Sequence, residues 1–345
     1  MGRWRILLGF TISAIFLVLL LRSVELGEVV DAISEADPAW LLLAAPVYAL
    51  GIWTRAMRWR LILWPHLQLR RGDAASLVVI GNAANNVLPA RTGEIVRALL
   101  VQRSHGGSGA TTLGSIVVER ALDGLVLAGF LIATIAVAGS SDFLRGLAII
   151  AGGGFVAVTL VLLALAWRPE STSRALLGAI GRLPARVSSP LAAVAARGIA
   201  GLTLLRGPRA WSLAVGMTVV SWSLEAATYW LVGEAFGLGL NPLLYLGVAG
   251  AANLAIAAPS TAGGIGPFEF FARETVVVFG SSTAAATAQA TAYALAVHVF
   301  VLLPLSVIGL GLLWRRHSVG TLLGAALPVD TASAAASDTR SEVAP

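Results

Sequence analysis

The chain has 345 residues, 57% of them apolar and 12% charged, with a mean hydropathy of +0.83, which excludes an ordinary soluble domain and calls for lipid as part of the solvent. Its +6 formal charge is carried by arginine without a single lysine, and there is no cysteine; Schiff-base and P-loop lysines, thiol nucleophiles, disulfides and thiolate metal sites are thereby excluded. The arginines cluster between apolar runs, so the expected partners are membrane lipids, above all anionic head groups of the inner leaflet, and not nucleic acid.

Met1 to Arg5 followed by Ile6 to Leu21 has the layout of a signal peptide without a small-x-small cleavage site, and reads as a retained first span. Further apolar runs occupy about residues 39–63, 74–88, 111–138, 146–167, 210–234, 243–258, 265–280 and 286–314. The loop 22–38, with one Arg and five acids, belongs outside. Arg55, Arg58, Arg60, Arg70 and Arg71 place the next connection in the cytoplasm, and Arg91, Arg97 and Arg103 lie on that side too. The run 74–88 between these groups must enter and leave by one face. It is short, carries Asn82, Asn85 and Asn86, and ends at Pro89, as a re-entrant segment would.

The runs 111–138 and 146–167 then lead out and back to a linker, 168–209, whose seven Arg and single acid make it cytoplasmic. The span 210–234 leads outside again. The runs 243–258 and 265–280 form a pair broken at Pro259-Ser260-Thr261-Ala262-Gly263-Gly264-Ile265-Gly266-Pro267, either a hairpin opening outward or a plain extracellular turn. The run 286–314 returns inside before Arg315 and Arg316, and 317–345 reads as a disordered tail after a membrane domain of residues 1–316. The expected fold is all-α: a polytopic membrane protein of about six full spans plus two re-entrant or broken hairpins, with both termini cytoplasmic.

The two interruptions echo each other. Ala83-Ala84-Asn85 precedes Pro89 and Gly93-Glu94; Ala251-Ala252-Asn253 precedes Pro259, Gly263, Gly264, Gly266 and Glu269. Opposite openings with Gly/Pro-interrupted segments in both halves fit an inverted repeat, although Ala-Ala-Asn also recurs easily in an alanine-rich chain.

Charges inside apolar runs are costly, at about 2.5–3.5 kcal/mol at a span's centre, and mark candidate sites. Arg91 and Glu94, Glu94 and Arg97, and Arg120 and Asp123 are each three apart and could pair along a helix. With Glu119 they form either a salt-bridge clasp near the inner interface or a polar cavity in which Arg91, Arg97 or Arg120 holds a phosphate. Glu225 stands alone in its span and needs a partner or a proton, and is a candidate for carrying a coupling proton; Glu269 is a second candidate, and His298 reads as a hydrogen-bonded packing residue. Asn85, Asn86 and the Gly263, Gly264 and Gly266 backbone would line a path. No Asp-x-Asp, Asp-Asp or His-Glu-x-x-His cluster occurs, so no metal and no cofactor is expected, and an oligomer is compatible with the sequence.

Three stretches resemble the membrane region of lysylphosphatidylglycerol synthases and the flippase-like proteins related to it: Asn85-Asn86-Val87-Leu88-Pro89-Ala90-Arg91-Thr92-Gly93-Glu94 with Arg97, Val118-Glu119-Arg120-Ala121-Leu122-Asp123, and Pro259 to Glu269. Ala262 departs from a pattern that commonly has Pro there. The resemblance implies translocation of a phospholipid or lipid-linked head group across a bacterial inner membrane. Fewer than thirty residues follow Arg316, too few for the soluble synthase domain of the bifunctional relatives, so no enzyme activity is expected. A transferase acting on a lipid phosphate, or a non-transporting scaffold, is the rival reading.

Overall fold

The computed structural model describes residues 3–22, 24–88, 92–139, 141–167, 207–256, 262–280 and 283–316, with short pieces between 174 and 192. The linker 168–206, the tail 317–345, and the expected tips Pro89 to Arg91 and Pro259 to Thr261 lie mostly or wholly outside these residues. Among the described residues every regular element is helical. They are α1 Arg3–Leu21, α2 Leu26–Ser34, α3 Pro38–Leu63, α4 Arg71–Val87, α5 Gly93–His105, α6 Gly109–Ala138, α7 Asp142–Trp167, α8 Pro208–Ala235, α9 Leu244–Ala255, a 3-10 turn Ala262–Gly264, α10 Pro267–Phe279 and α11 Ala284–Arg316.

Local chemistry sets these boundaries. Asp37 caps α3 by accepting from Ala39 N at 2.9 Å ahead of Pro38, Ser108 caps α6 through Thr111 N, and Gly106 ends α5 in the left-handed conformation. Four described helices, α3, α6, α7 and α11, are long and apolar enough to cross a membrane, and α1 with α2, bent by 83°, makes a fifth if the pair is one span. Of the six expected spans, α8 is the one outside this set. At 28 residues it has the length, but it carries buried Thr218, Ser221, Glu225 and Thr228, and its threonines bond back to their own helix.

The expected re-entrant pairs are both present. In the first, α4 runs in and α5 runs back, and their outer ends meet where His105 lies 3.8 Å from Asp73, beside the C-terminal end of α3. In the second, α9 and α10 have their outer ends together near Leu240 and Gly280. That end adjoins the start of α3, where Asp37 N donates to Ala235 O at 2.9 Å. The hairpins therefore open at opposite ends of α3, and their tips meet in between: a Cβ on Gly263 would lie 3.6 Å from Asn86 O.

Each half consequently reads long, short, break, short, long: α3 to α6, then α8 to α11. The packing is reciprocal. The most extensive pairing joins the two leading helices α3 and α8, followed by α4 against α11 and α9 against α6. The last two crossings are close: a Cβ on Gly309 would meet Ala83 Cβ at 2.4 Å, and one on Gly250 would meet Leu127 O at 2.8 Å. These relations are those of an inverted repeat, as the sequence echo suggested.

Candidate functional site

The site is built on α3 and α8 and completed by the first hairpin and α6. Arg58 is fully buried on α3; its guanidinium lies 2.5 Å from Asp123 Oδ1 and 3.3 Å from Glu119 Oε1, and donates to Thr218 Oγ1 at 3.0 Å. Arg97 pairs with the far oxygen of Glu119 and lies over the Trp59 ring at 4.1 Å. Arg55 pairs with Glu225 and sits 4.0 Å over the Trp222 ring, whose Nε1 donates to Asp123 Oδ1 at 2.8 Å. Arg120 lies between Glu94, at 3.1 Å, and Asp123, at 3.7 Å. Asn85 fixes the first break by donating to Glu94 Oε1 at 3.1 Å and accepting from Gly93 N at 2.8 Å. Only glycine fits at position 93, because a Cβ there would fall 2.0 Å from Gly81 O.

Four guanidinium groups, on Arg55, Arg58, Arg97 and Arg120, thus face four carboxylates, on Glu94, Glu119, Asp123 and Glu225, and among the described residues the charges balance. Balance matters because an unpaired charge in this setting would cost several kcal/mol. Most of the network is sealed. Arg120 is the most open member: its side chain keeps 41% of its exposure. Arg120, Glu94, Asp123, Trp222 and Asn253 line a cavity of about 320 Å³. Phe155 and Leu254 line both this cavity and a larger apolar groove of about 740 Å³ between α1, α7 and α10.

Of the residues singled out from sequence, Asn85, Glu94, Arg97, Glu119, Arg120, Asp123 and Glu225 come together here. Arg91 lies outside the described residues. Asn86 is turned away and donates to Leu302 O and Ser306 Oγ, tying α4 to α11 where Pro304 interrupts the helix ladder. Gly263, Gly264, Gly266 and Glu269 form a separate cluster in the second hairpin. The three glycines have φ of 72°, 78° and 99°, and Glu269 meets His298.

Two expectations are corrected. Arg55 and Arg58 do not belong to a cytoplasmic connection: α3 continues to Leu63 and carries both inward. Glu94 and Arg97 form no pair along α5, because Asn85 and Arg120 engage Glu94 while Trp59 holds Arg97 beside Glu119. The partner that Glu225 needed is Arg55, with Tyr229 OH donating to its other oxygen at 3.2 Å.

Residues 6–309 match the family model described as the lysylphosphatidylglycerol synthase TM region. The chain belongs to this family. Both hairpins and every member of the charge network fall inside the part that defines the lysylphosphatidylglycerol synthase membrane region. The chain is also similar to a protein named glycosyltransferase AglD from Haloferax volcanii, at 27% identity over 297 residues, covering 77% of this chain and 48% of that protein. The chain thus spans about half the length of this curated relative. No solved structure matches it.

Proposed function

We propose that this multi-pass membrane protein is a flippase-type transporter that carries the head group of a phospholipid or lipid-linked compound through the cavity at Arg120. The observation that carries this reading is the pairing of two unlike cavities. The small one offers a partly exposed cation, Arg120, beside an anion, Glu94, which suits a phosphate or a zwitterionic head group. The large one is apolar and adjoins it at Phe155 and Leu254, so it suits the hydrocarbon chains of the same lipid. Anionic lipids of the inner leaflet are the expected partners. Arginine-rich helix ends at Arg60, Arg70, Arg71, Arg103 and Arg315 favour a bacterial inner membrane with these ends, and both termini, in the cytoplasm.

The test is head-group translocation in proteoliposomes across a panel of fluorescent phospholipids and polyprenyl phosphates. Wild-type protein should move at least one of them, and Arg120→Ala should lose that activity while remaining folded; full transport by both Arg91→Ala and Arg120→Ala would overturn the assignment. A transferase acting on a lipid phosphate is the second reading, favoured by the name of the Haloferax relative. Release of product from a sugar-nucleotide donor, with no head-group movement, would replace the transporter by that reading.

A further inference from the structure

Away from the guanidinium network, the second hairpin holds a buried pair of titratable groups that the proposed transport path does not use. Glu269 and His298 are both about 5% exposed or less, and their side chains approach at 2.6 Å between Oε1 and Nδ1. The other contacts of the pair fix its protons. Gly263 O can only accept, so His298 Nε2, 3.0 Å away, must carry a hydrogen. Gly266 N donates to the second carboxylate oxygen, Oε2, at 2.7 Å. An imidazole already protonated at Nε2 presents a lone pair at Nδ1, and an ionised carboxylate presents another at Oε1. A hydrogen bond between them needs one more proton, on Nδ1 or on Oε1. The stacked ring of Phe268, 4.1 Å from the imidazole and inclined by 19°, keeps the histidine in this orientation.

No other charged side chain bonds to the pair among the described residues. On α10, Arg273 donates to Leu20 O of α1 and pairs with Glu274. On α8, Glu225 is held by Arg55 and Tyr229, and Tyr229 reaches the pair only through its edge contact with Phe268. Tyr48 of α3 donates to Val301 O, and α4 contributes the neutral Asn86. The α9 side presents Ile256 against Gly264, α1 presents the Ser13 backbone against Gly266, and Tyr293 of α11 itself lies against Tyr245 and Phe236.

We propose that Glu269 and His298 form a binding site for one transferable proton, that its occupancy clamps the α9–α10 break to α11, and that the conformational cycle is thereby coupled to protons. When the proton leaves for water, a neutral imidazole and a carboxylate face each other with opposed lone pairs. The 2.6 Å hydrogen bond is lost, and the turn that bonds to both partners, through Gly263 O and Gly266 N, is released. The clamp is therefore closed while the pair holds this proton and open once it has gone to water. This inference stands whether the cargo is a lipid or not.

The experiment is amide hydrogen exchange of the peptide covering 263–270 in full-length protein in lipid nanodiscs, across a pH series with labelling times scaled to equal intrinsic exchange. Wild-type protein should show protection at low pH and a single one-proton step to exchange faster by on the order of tenfold as pH rises. Glu269→Gln should stay protected throughout, because its amide can donate to Nδ1 while its carbonyl accepts from Gly266 N. His298→Ala should exchange fast throughout; should that variant fail to fold, Glu269→Gln carries the test alone. A flat wild-type profile, or the same step in Glu269→Gln, overturns the proposal. Failure of every lipid in the transport assay leaves this readout unchanged, so the two readings fail separately.

Discussion

The two hairpins share an architecture and differ in chemistry. Each breaks two residues after an asparagine near the end of its first short helix, and each ties a glycine N–H at the break to a side-chain oxygen: Gly93 to Asn85 in the first, Gly266 to Glu269 in the second. The first then gathers Glu94 and Arg97 against the ion-rich middle of α6, while the second gathers Glu269 against a lone histidine in α11. One duplicated frame thus presents a network of fixed charges on one side and a single proton-bearing pair on the other. The lesson is that the backbone of a repeat can be kept while its side chains diverge, into a balanced network of guanidinium and carboxylate groups at one hairpin and a buried Glu269–His298 pair at the other.

The comparison breaks most sharply at Arg58. It is wholly enclosed and serves Asp123, Glu119 and Thr218 together, so Arg58→Ala leaves two carboxylates short of a counter-charge. The expected loss is about 3–5 kcal/mol of stability, read as a large drop in the thermal unfolding midpoint in detergent. The corresponding substitution in the second hairpin, Glu269→Gln, should leave the midpoint nearly unchanged at low pH. Next in size is Gly93→Ala, whose Cβ has nowhere to go beside Gly81 O and the Asn85 side chain. It should cost about 1–3 kcal/mol in the same measurement and pull Asn85 away from Glu94.

Arg120→Ala tests function more than folding. Its side chain is two-fifths exposed to the cavity, so solvent screens its pairs with Glu94 and Asp123 and the stability change should be within about 1 kcal/mol. Transport should nevertheless fall by about tenfold or more, the worth of one charge-assisted hydrogen bond to a head group. Equal transport by wild type and variant would move the binding role elsewhere in the network.

Much of this was legible beforehand. The breaks announced themselves through Pro and Gly in runs too short to span, and the motif residues Glu94, Arg97, Glu119, Arg120 and Asp123 did meet. The pairing of α3 with α8 was not legible, because an arginine near the end of an apolar run looks the same to charge counting whether it faces head groups or the protein interior. Arg55 and Arg58 were for that reason assigned to a connection. A signal did exist: Glu225 stood without a cation in its own span, and Arg55, Arg58 and Trp59 lie on one side of a helix at spacings of three and four. Partner choice within a motif was also hidden, since Arg97 pairs with Glu119 while lying over the ring of Trp59, which comes from another helix.

Tyr229 of α8 ties the charge network, through Glu225, to the first helix of the second hairpin, and its removal is the mildest of these tests. Its hydroxyl donates to Glu225 Oε1 at 3.2 Å and accepts from Asn253 Nδ2 at 3.1 Å, while its ring stays edge-on to Phe268. Tyr229→Phe keeps the ring and the Arg55 pair and deletes only this bridge, so stability should fall by about 1 kcal/mol. If the charge network and the second hairpin act independently, transport and the pH step at 263–270 should both persist in the variant. If the pH step persists and transport no longer follows it, the hydroxyl is the link by which the second hairpin governs the charge network. Asn253→Ala should then give the same uncoupling, because it removes the other end of the bridge while leaving Glu225 with both of its partners.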